Sequence, residues 1–204
     1  MRHLSGWGRG SRDSKLLRRG RALEWVTLSW NIVGVCVLAY LAIVASSVAL
    51  AGFGLDSLIE IGASVVVLWE LAGSSEARQR IALRMIGIAF IALALYLAAQ
   101  STAALVAGHR AGPSIGGIIW TAITALVMFG LAAGKSRTGR ALGNPVLQAE
   151  GRVTRVDALL AIAVLVGVTV DLLFGWWWAD PVAGYVIVFY AVREALEIFR
   201  PKPQ

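Results

Sequence analysis

The chain contains the stretch Val48-Ala-Leu-Ala-Gly-Phe-Gly-Leu-Asp-Ser-Leu-Ile-Glu-Ile-Gly-Ala-Ser-Val-Val-Val-Leu-Trp69, which is long and apolar enough to cross a bilayer. Its exceptions are Asp56 and Glu60, two carboxylates that lie one helical turn apart. A charge in hydrocarbon costs at least about 2.5–3.5 kcal/mol, so two on one helix face need a compensating partner. The stretch therefore predicts a transmembrane helix whose acidic face holds a cation or exchangeable protons.

The composition of the whole chain is that of a membrane protein. Of its 204 residues, 58% are hydrophobic and only 15% are charged, whereas soluble domains carry about 25% charged residues. The net charge of +7 comes from Lys and Arg outside the apolar runs, which favours orientation in an anionic membrane over binding to nucleic acid. We therefore expect a lipid bilayer as a partner, and no nucleic acid.

Six apolar stretches are candidates for membrane-spanning helices. The sixth opens at Asp180-Pro181, where proline suits a first helical turn. The stretches cover residues 24–45, 48–71, 82–107, 115–134, 146–174 and 180–199. The sequence thus predicts an all-α, integral, multi-pass membrane protein with six transmembrane helices, in the cell membrane if the source is bacterial.

Basic residues are concentrated at the chain ends and in every second segment that connects these helices. After the first, third and fifth stretches, Arg110 is the only Lys or Arg. The other segments and the two chain ends carry Arg2, Arg9, Arg12, Lys15, Arg18, Arg19, Arg21, Arg78, Arg80, Arg84, Lys135, Arg137, Arg140, Arg200 and Lys202. The positive-inside rule then predicts that both termini are cytoplasmic. We divide the chain into a basic arm, residues 1–22, expected to be disordered, and a six-helix membrane domain, residues 23–200.

The fifth stretch carries a second acidic face. At 100° per residue, Glu150 and Asp157 fall on one stripe, while Arg152 and Arg155 point to the opposite side. If this stripe meets the acidic face of the second helix, four carboxyl groups converge. Like charges that are close together and removed from water favour protonated carboxyls, so an empty site should hold protons. A divalent cation would displace them, which couples metal binding to proton release.

Simpler interpretations of the carboxylates stay open. Each could be protonated and hydrogen-bonded across a helix interface, or could pair with Arg. For Glu150, which is close to the membrane edge, such a structural role is favoured over metal binding. Glu24 and Glu70 lie at span ends, where solvation or pairing is simplest, and Asp171 is interpreted as a capping or interfacial residue. The sequence contains no nucleophile–base pair, phosphate loop or redox pair, so no enzyme chemistry and no organic cofactor are expected.

Three motifs resemble the cation diffusion facilitator (cation efflux) family. The second transmembrane helix of that family resembles Ser46-Ser-Val-Ala-Leu followed by Gly54-Leu-Asp-Ser-Leu-Ile-Glu-Ile-Gly-Ala-Ser64. The fifth helix resembles Gln148-Ala-Glu-Gly-Arg-Val-Thr-Arg-Val-Asp-Ala158, and its turn into the sixth resembles Leu173-Phe-Gly-Trp-Trp-Trp-Ala-Asp-Pro181. The resemblance covers residues 24–199 and implies a six-helix, homodimeric exporter of divalent metals such as zinc, driven by proton antiport.

The family's transport site takes two acidic residues from the second helix and a His-x-x-x-Asp pair from the fifth. The resemblance therefore assigns Asp56, Glu60 and Asp157 as metal ligands, but it places Val153 where the family has histidine. Glu150 matches an acidic position that is also common in the family, and it could supply the missing ligand. Zinc is the first expectation and manganese the second, since oxygen ligands suit harder ions.

Two further departures from the family pattern keep other functions open. The resemblance implies a short variant without the cytoplasmic domain of longer members, and the usual His-rich loop is replaced by Gly134-Lys-Ser-Arg-Thr-Gly-Arg140. The histidines, His3 and His109, are expected in the tail and an outer loop. A metal-binding or regulatory membrane subunit without transport, and a structural protein with protonated carboxyls, therefore remain alternatives.

Overall fold

The computed structural model describes residues 5–45, 48–73, 75–108 and 114–200, which form six α-helices and no strand. The helices are α1 (Ser5–Ala45), α2 (Val48–Leu71), α3 (Glu76–Ala107), α4 (Ile115–Leu142), α5 (Pro145–Phe174) and α6 (Ala179–Phe199). The predicted all-α fold with six helices is confirmed.

Five of these helices, α1 to α5, are long and apolar enough to cross a membrane. Large apolar side chains such as Ile43, Leu95 and Leu126 cover the outside of the bundle, as expected for a surface solvated by lipid. The sixth helix, α6, is not one of these five. It has 21 residues, contains Pro181 near its start, as predicted, and carries the charged residue Glu194 in its second half. The protein is therefore an integral, multi-pass membrane protein.

The first helix starts earlier than the predicted span. It runs without a break from Ser5 to Ala45, so no interruption marks the predicted boundary between an arm, residues 1–22, and the membrane domain. Gly20 is already buried, and a Cβ built on it would lie 3.1 Å from a side-chain atom of Leu147. Residues 5–22 are helical, and the packed face of α1 continues into them. Residues 1–4 lie outside the described part.

The fourth helix also continues past its predicted end at residue 134. It reaches Leu142 and ends at Gly143, which adopts a left-handed conformation at φ 64°. Asn144 then caps α5, since its side chain accepts a hydrogen bond from the backbone N–H of Leu147 at 2.9 Å. Lys135, which we predicted to lie in a connecting segment, is therefore part of a helix.

The second and fifth helices run antiparallel through the core. Apolar side chains from all six helices form this core, and Phe53 and Phe90 are among its largest buried members. On α2, Glu60 accepts a hydrogen bond from Thr154 of α5. This packing brings the polar positions of two membrane-spanning helices against each other.

Candidate metal centre

The predicted acidic faces of α2 and α5 meet in the interior of the bundle. Asp56, Glu60 and Asp157 are each at most 3% exposed. The carboxyl groups of Asp56 and Asp157 lie within hydrogen-bonding reach of each other. One turn along, the Thr154 hydroxyl donates a hydrogen bond of 2.6 Å to Glu60 Oε1. The structure thus buries three of the four predicted ligands where α2 and α5 face each other.

The contact between Asp56 and Asp157, here called the carboxyl pair, lacks donors. Among the described residues, no group donates a hydrogen bond to Asp56 Oδ2 or to either oxygen of Asp157. Two ionised carboxylates in contact repel each other, and burial makes each charge more costly. A proton or a bound cation on the pair would remove this repulsion.

A buried lysine lies beside the carboxyl pair. The Nζ atom of Lys135 is 3.0 Å from Glu24 Oε2 and 3.1 Å from Glu150 Oε1. It also donates to Thr154 Oγ1 at 3.0 Å and lies 4.0 Å from Glu60 Oε1. The side chains of Lys135, Glu24 and Glu150 are all fully buried. The interior thus holds an ammonium group in addition to the predicted carboxyls.

The prediction that Lys135 lies in a basic connecting segment is wrong, because α4 carries it into the bundle. Of the two interpretations of Glu24, solvated or paired, the structure has the paired one. The helical phase could have identified both residues. Lys135 continues the buried stripe of Met128 and Leu131, and Glu24 lies on the buried stripe that includes Asn31.

The other two positions that the family pattern assigns to the metal, Glu150 and Val153, do not complete a metal site with the three carboxylates. Glu150 Oε1 is bound by Lys135, and Glu150 Oε2 has no hydrogen-bond partner within the described chain. Val153 is 3% exposed and belongs to the apolar core. Across residues 5–45, 48–73, 75–108 and 114–200, no three His, Cys, Asp or Glu residues are arranged to hold a metal ion. His3 and His109 lie outside these ranges.

At the end of the bundle nearest the α4–α5 connection, a third carboxylate of α2, Glu70, is buried. Asn144 Nδ2 donates to both oxygens of Glu70, at 3.3 and 3.0 Å. Glu70 is therefore paired, one of its two predicted interpretations. Asn144 joins α2 to α5 with the same side chain that caps α5.

Asn144→Ala should lower the free energy of unfolding by about 1–2 kcal/mol, because it removes a helix cap and two hydrogen bonds to a buried carboxyl. Denaturant unfolding in detergent measures the change. Asn144→Asp is the matched variant, since it keeps the capping oxygen but not the amide donor. We expect it also to be less stable than the wild type; wild-type stability of both variants would contradict the assigned contacts.

The sequence model of the cation efflux transmembrane domain matches residues 25–202. The chain belongs to this family. The resemblance noted from the sequence motifs is confirmed, and cation efflux proteins are membrane transporters of cations rather than enzymes. All six helices of this cation efflux domain contribute to the matched region, which includes the carboxyl pair and Lys135. No curated protein matches the chain.

Proposed function

We propose that this protein moves divalent metal cations across the membrane in exchange for protons. The observation that carries the proposal is the carboxyl pair, Asp56 and Asp157, which is buried and lacks donors on three of its four oxygens. Such a pair is stable when it shares a proton or when it binds a cation. Metal binding then releases protons, and proton binding releases metal.

Three carboxylates, Asp56, Glu60 and Asp157, bind the transported cation in this proposal. Glu60 belongs to the site because it lies one turn from Asp56 and because Thr154 fixes its Oε1 atom at 2.6 Å. Glu150, the fourth predicted ligand, instead accepts a hydrogen bond from Lys135 at 3.1 Å. Zn²⁺ remains the first cargo we propose, since it accepts carboxylate ligands, and Mn²⁺ is the second, since the donors are all oxygens.

Alternating access follows from the position of the site between two helices. A shared proton holds α2 and α5 together through one hydrogen bond, whereas a metal ion bridges the same carboxyls with a different separation. Small shifts of α2 and α5 against the other helices would then open the site to one side or the other. We also propose a homodimer with cytoplasmic termini, on the basis of the family resemblance and the distribution of basic residues.

Transport by the full chain in liposomes tests the proposal. Zn²⁺ and Mn²⁺ uptake is followed with and without an imposed proton gradient, and metal binding is measured on the same preparation. Gradient-dependent flux of either ion supports the proposal. Binding without flux would instead favour a metal-binding regulatory subunit, and the absence of both would overturn a metal function.

Val153→His should raise the preference for Zn²⁺ over Mn²⁺ by about tenfold, which corresponds to about 1.4 kcal/mol. The substitution places an imidazole one turn before Asp157, and zinc accepts nitrogen ligands readily. Competition binding of the two ions measures the preference. Val164→His, on the same buried stripe two turns beyond Asp157, controls for the burial of a histidine. Equal preferences in the two variants would show that position 153 does not face the cation.

A further inference from the structure

The surroundings of the Lys135 ammonium have the composition of a cation site. Oxygens of Glu24, Glu150 and Thr154 lie within 3.1 Å of Nζ. An ammonium group has three N–H donors; Lys135 donates to Glu150 Oε1 and Thr154 Oγ1 and forms an ion pair with Glu24 Oε2. Glu60 lies farther away, at 4.0 Å from Nζ, so it is not required to satisfy the ammonium. Lys135 therefore occupies the position that a bound ion would take among these oxygens.

An unused oxygen points to the same conclusion. Glu150 Oε2 belongs to a fully buried side chain and finds no hydrogen-bond partner in the described chain. Lys135 satisfies only one oxygen of this carboxylate, whereas a divalent cation could bind both. Together with Glu24, these oxygens form a second carboxylate site beside the carboxyl pair.

The Thr154 hydroxyl separates the two sites and links them. It accepts a hydrogen bond from Lys135 Nζ at 3.0 Å and donates one to Glu60 Oε1 at 2.6 Å. The hydroxyl proton is therefore directed at Glu60, and the ammonium holds the hydroxyl in that orientation. Glu60 Oε1 is thus connected to the Lys135 ammonium through Thr154.

We propose that Lys135 is a tethered cation that fills the second carboxylate site, so that the chain binds one divalent ion through Asp56, Glu60 and Asp157. In this arrangement, Glu150 is a partner of Lys135 and not a ligand of the transported ion. Lys135 also acts as a positioning residue for Glu60, through Thr154. The proposal rests on the proposed function, because it assumes that the carboxyl pair binds a divalent cation.

The number of divalent ions bound per chain tests the proposal. Purified full chain in detergent is dialysed against Zn²⁺ or Mn²⁺, and bound metal is counted by elemental analysis and titration calorimetry. We expect one ion for the wild type and two for Lys135→Met, which keeps the side-chain length but removes the charge. Adding Glu150→Gln to that variant should return the count to one. Arg137→Met, which removes an exposed charge from the same helix, should leave the count at one.

A second comparison does not depend on the folding of Lys135→Met. In the wild-type background, Glu150→Gln should change Zn²⁺ affinity by no more than about threefold, whereas Asp157→Asn should lower it at least about a hundredfold. Equal losses in these two variants would overturn the proposal, as would a single ion of wild-type affinity in folded Lys135→Met. A wild-type chain that binds no divalent ion would instead refute the proposed function.

Discussion

Asp157→Asn should lower the initial rate of proton-coupled cation uptake at least about a hundredfold, equivalent to about 2.7 kcal/mol. Asparagine keeps the shape of the side chain but removes one of the charges that would bind the cation. Its amide also donates permanently to Asp56, which replaces the exchangeable proton of the carboxyl pair. The variant should therefore fold, because the pair is satisfied, and yet be unable to exchange metal for protons.

Liposome uptake of Zn²⁺ and Mn²⁺ under a proton gradient measures this loss, and titration calorimetry measures binding by the same protein. Asp171→Asn is the control, since it removes a partly exposed carboxylate from the same helix and should retain at least about half of the wild-type rate. Near wild-type uptake by Asp157→Asn would show that the carboxyl pair is not on the transport path.

Hydropathy and helical phase together predict the six helices and the meeting of the α2 and α5 carboxylates. A dehydrated carboxylate is conspicuous in an apolar stretch, so Asp56 and Asp157 could be identified from the sequence alone. Hydropathy detects contact with lipid rather than helical backbone. The end of the fourth helix was therefore predicted too early, because α4 continues to Leu142. The start of the first helix was predicted too late, because α1 begins at Ser5.

The paired charges of α1 and α4 could not be predicted in the same way. The positive-inside rule assigns every Lys and Arg beyond an apolar stretch to a membrane surface, and this placed Lys135 outside the bundle. Its burial depends on Glu24 and Glu150, which come from two other helices. A buried ion pair of this kind is a contact between helices that are distant in sequence. It can be predicted only if α4 is extended beyond its apolar stretch and if the helices packed against it are known.

The α4–α5 interface that holds this ion pair depends on a close approach at Gly151. A Cβ built there would lie 2.9 Å from the backbone nitrogen of Ser136 and 3.2 Å from the backbone oxygen of Ala132. Both atoms belong to helical backbone, so a side chain at position 151 can be accommodated only if the two helices separate. Gly151 and Ser136 are the chain neighbours of Glu150 and Lys135, so such a separation would also lengthen the contact between ammonium and carboxylate.

Gly151→Ala should therefore lower the free energy of unfolding by about 2–3 kcal/mol, in the range of overpacked cores, although alanine is intrinsically the better helix former. Gly130→Ala, on α4, is the matched control, because a Cβ at that position meets no atom within 4 Å and should stabilise the helix by up to about 1 kcal/mol. Denaturant unfolding in detergent compares the two variants. Equal stabilities would contradict the close approach of α4 and α5, whereas opposite signs would show that the smallest residue is required where the two helices bring Lys135 against Glu150.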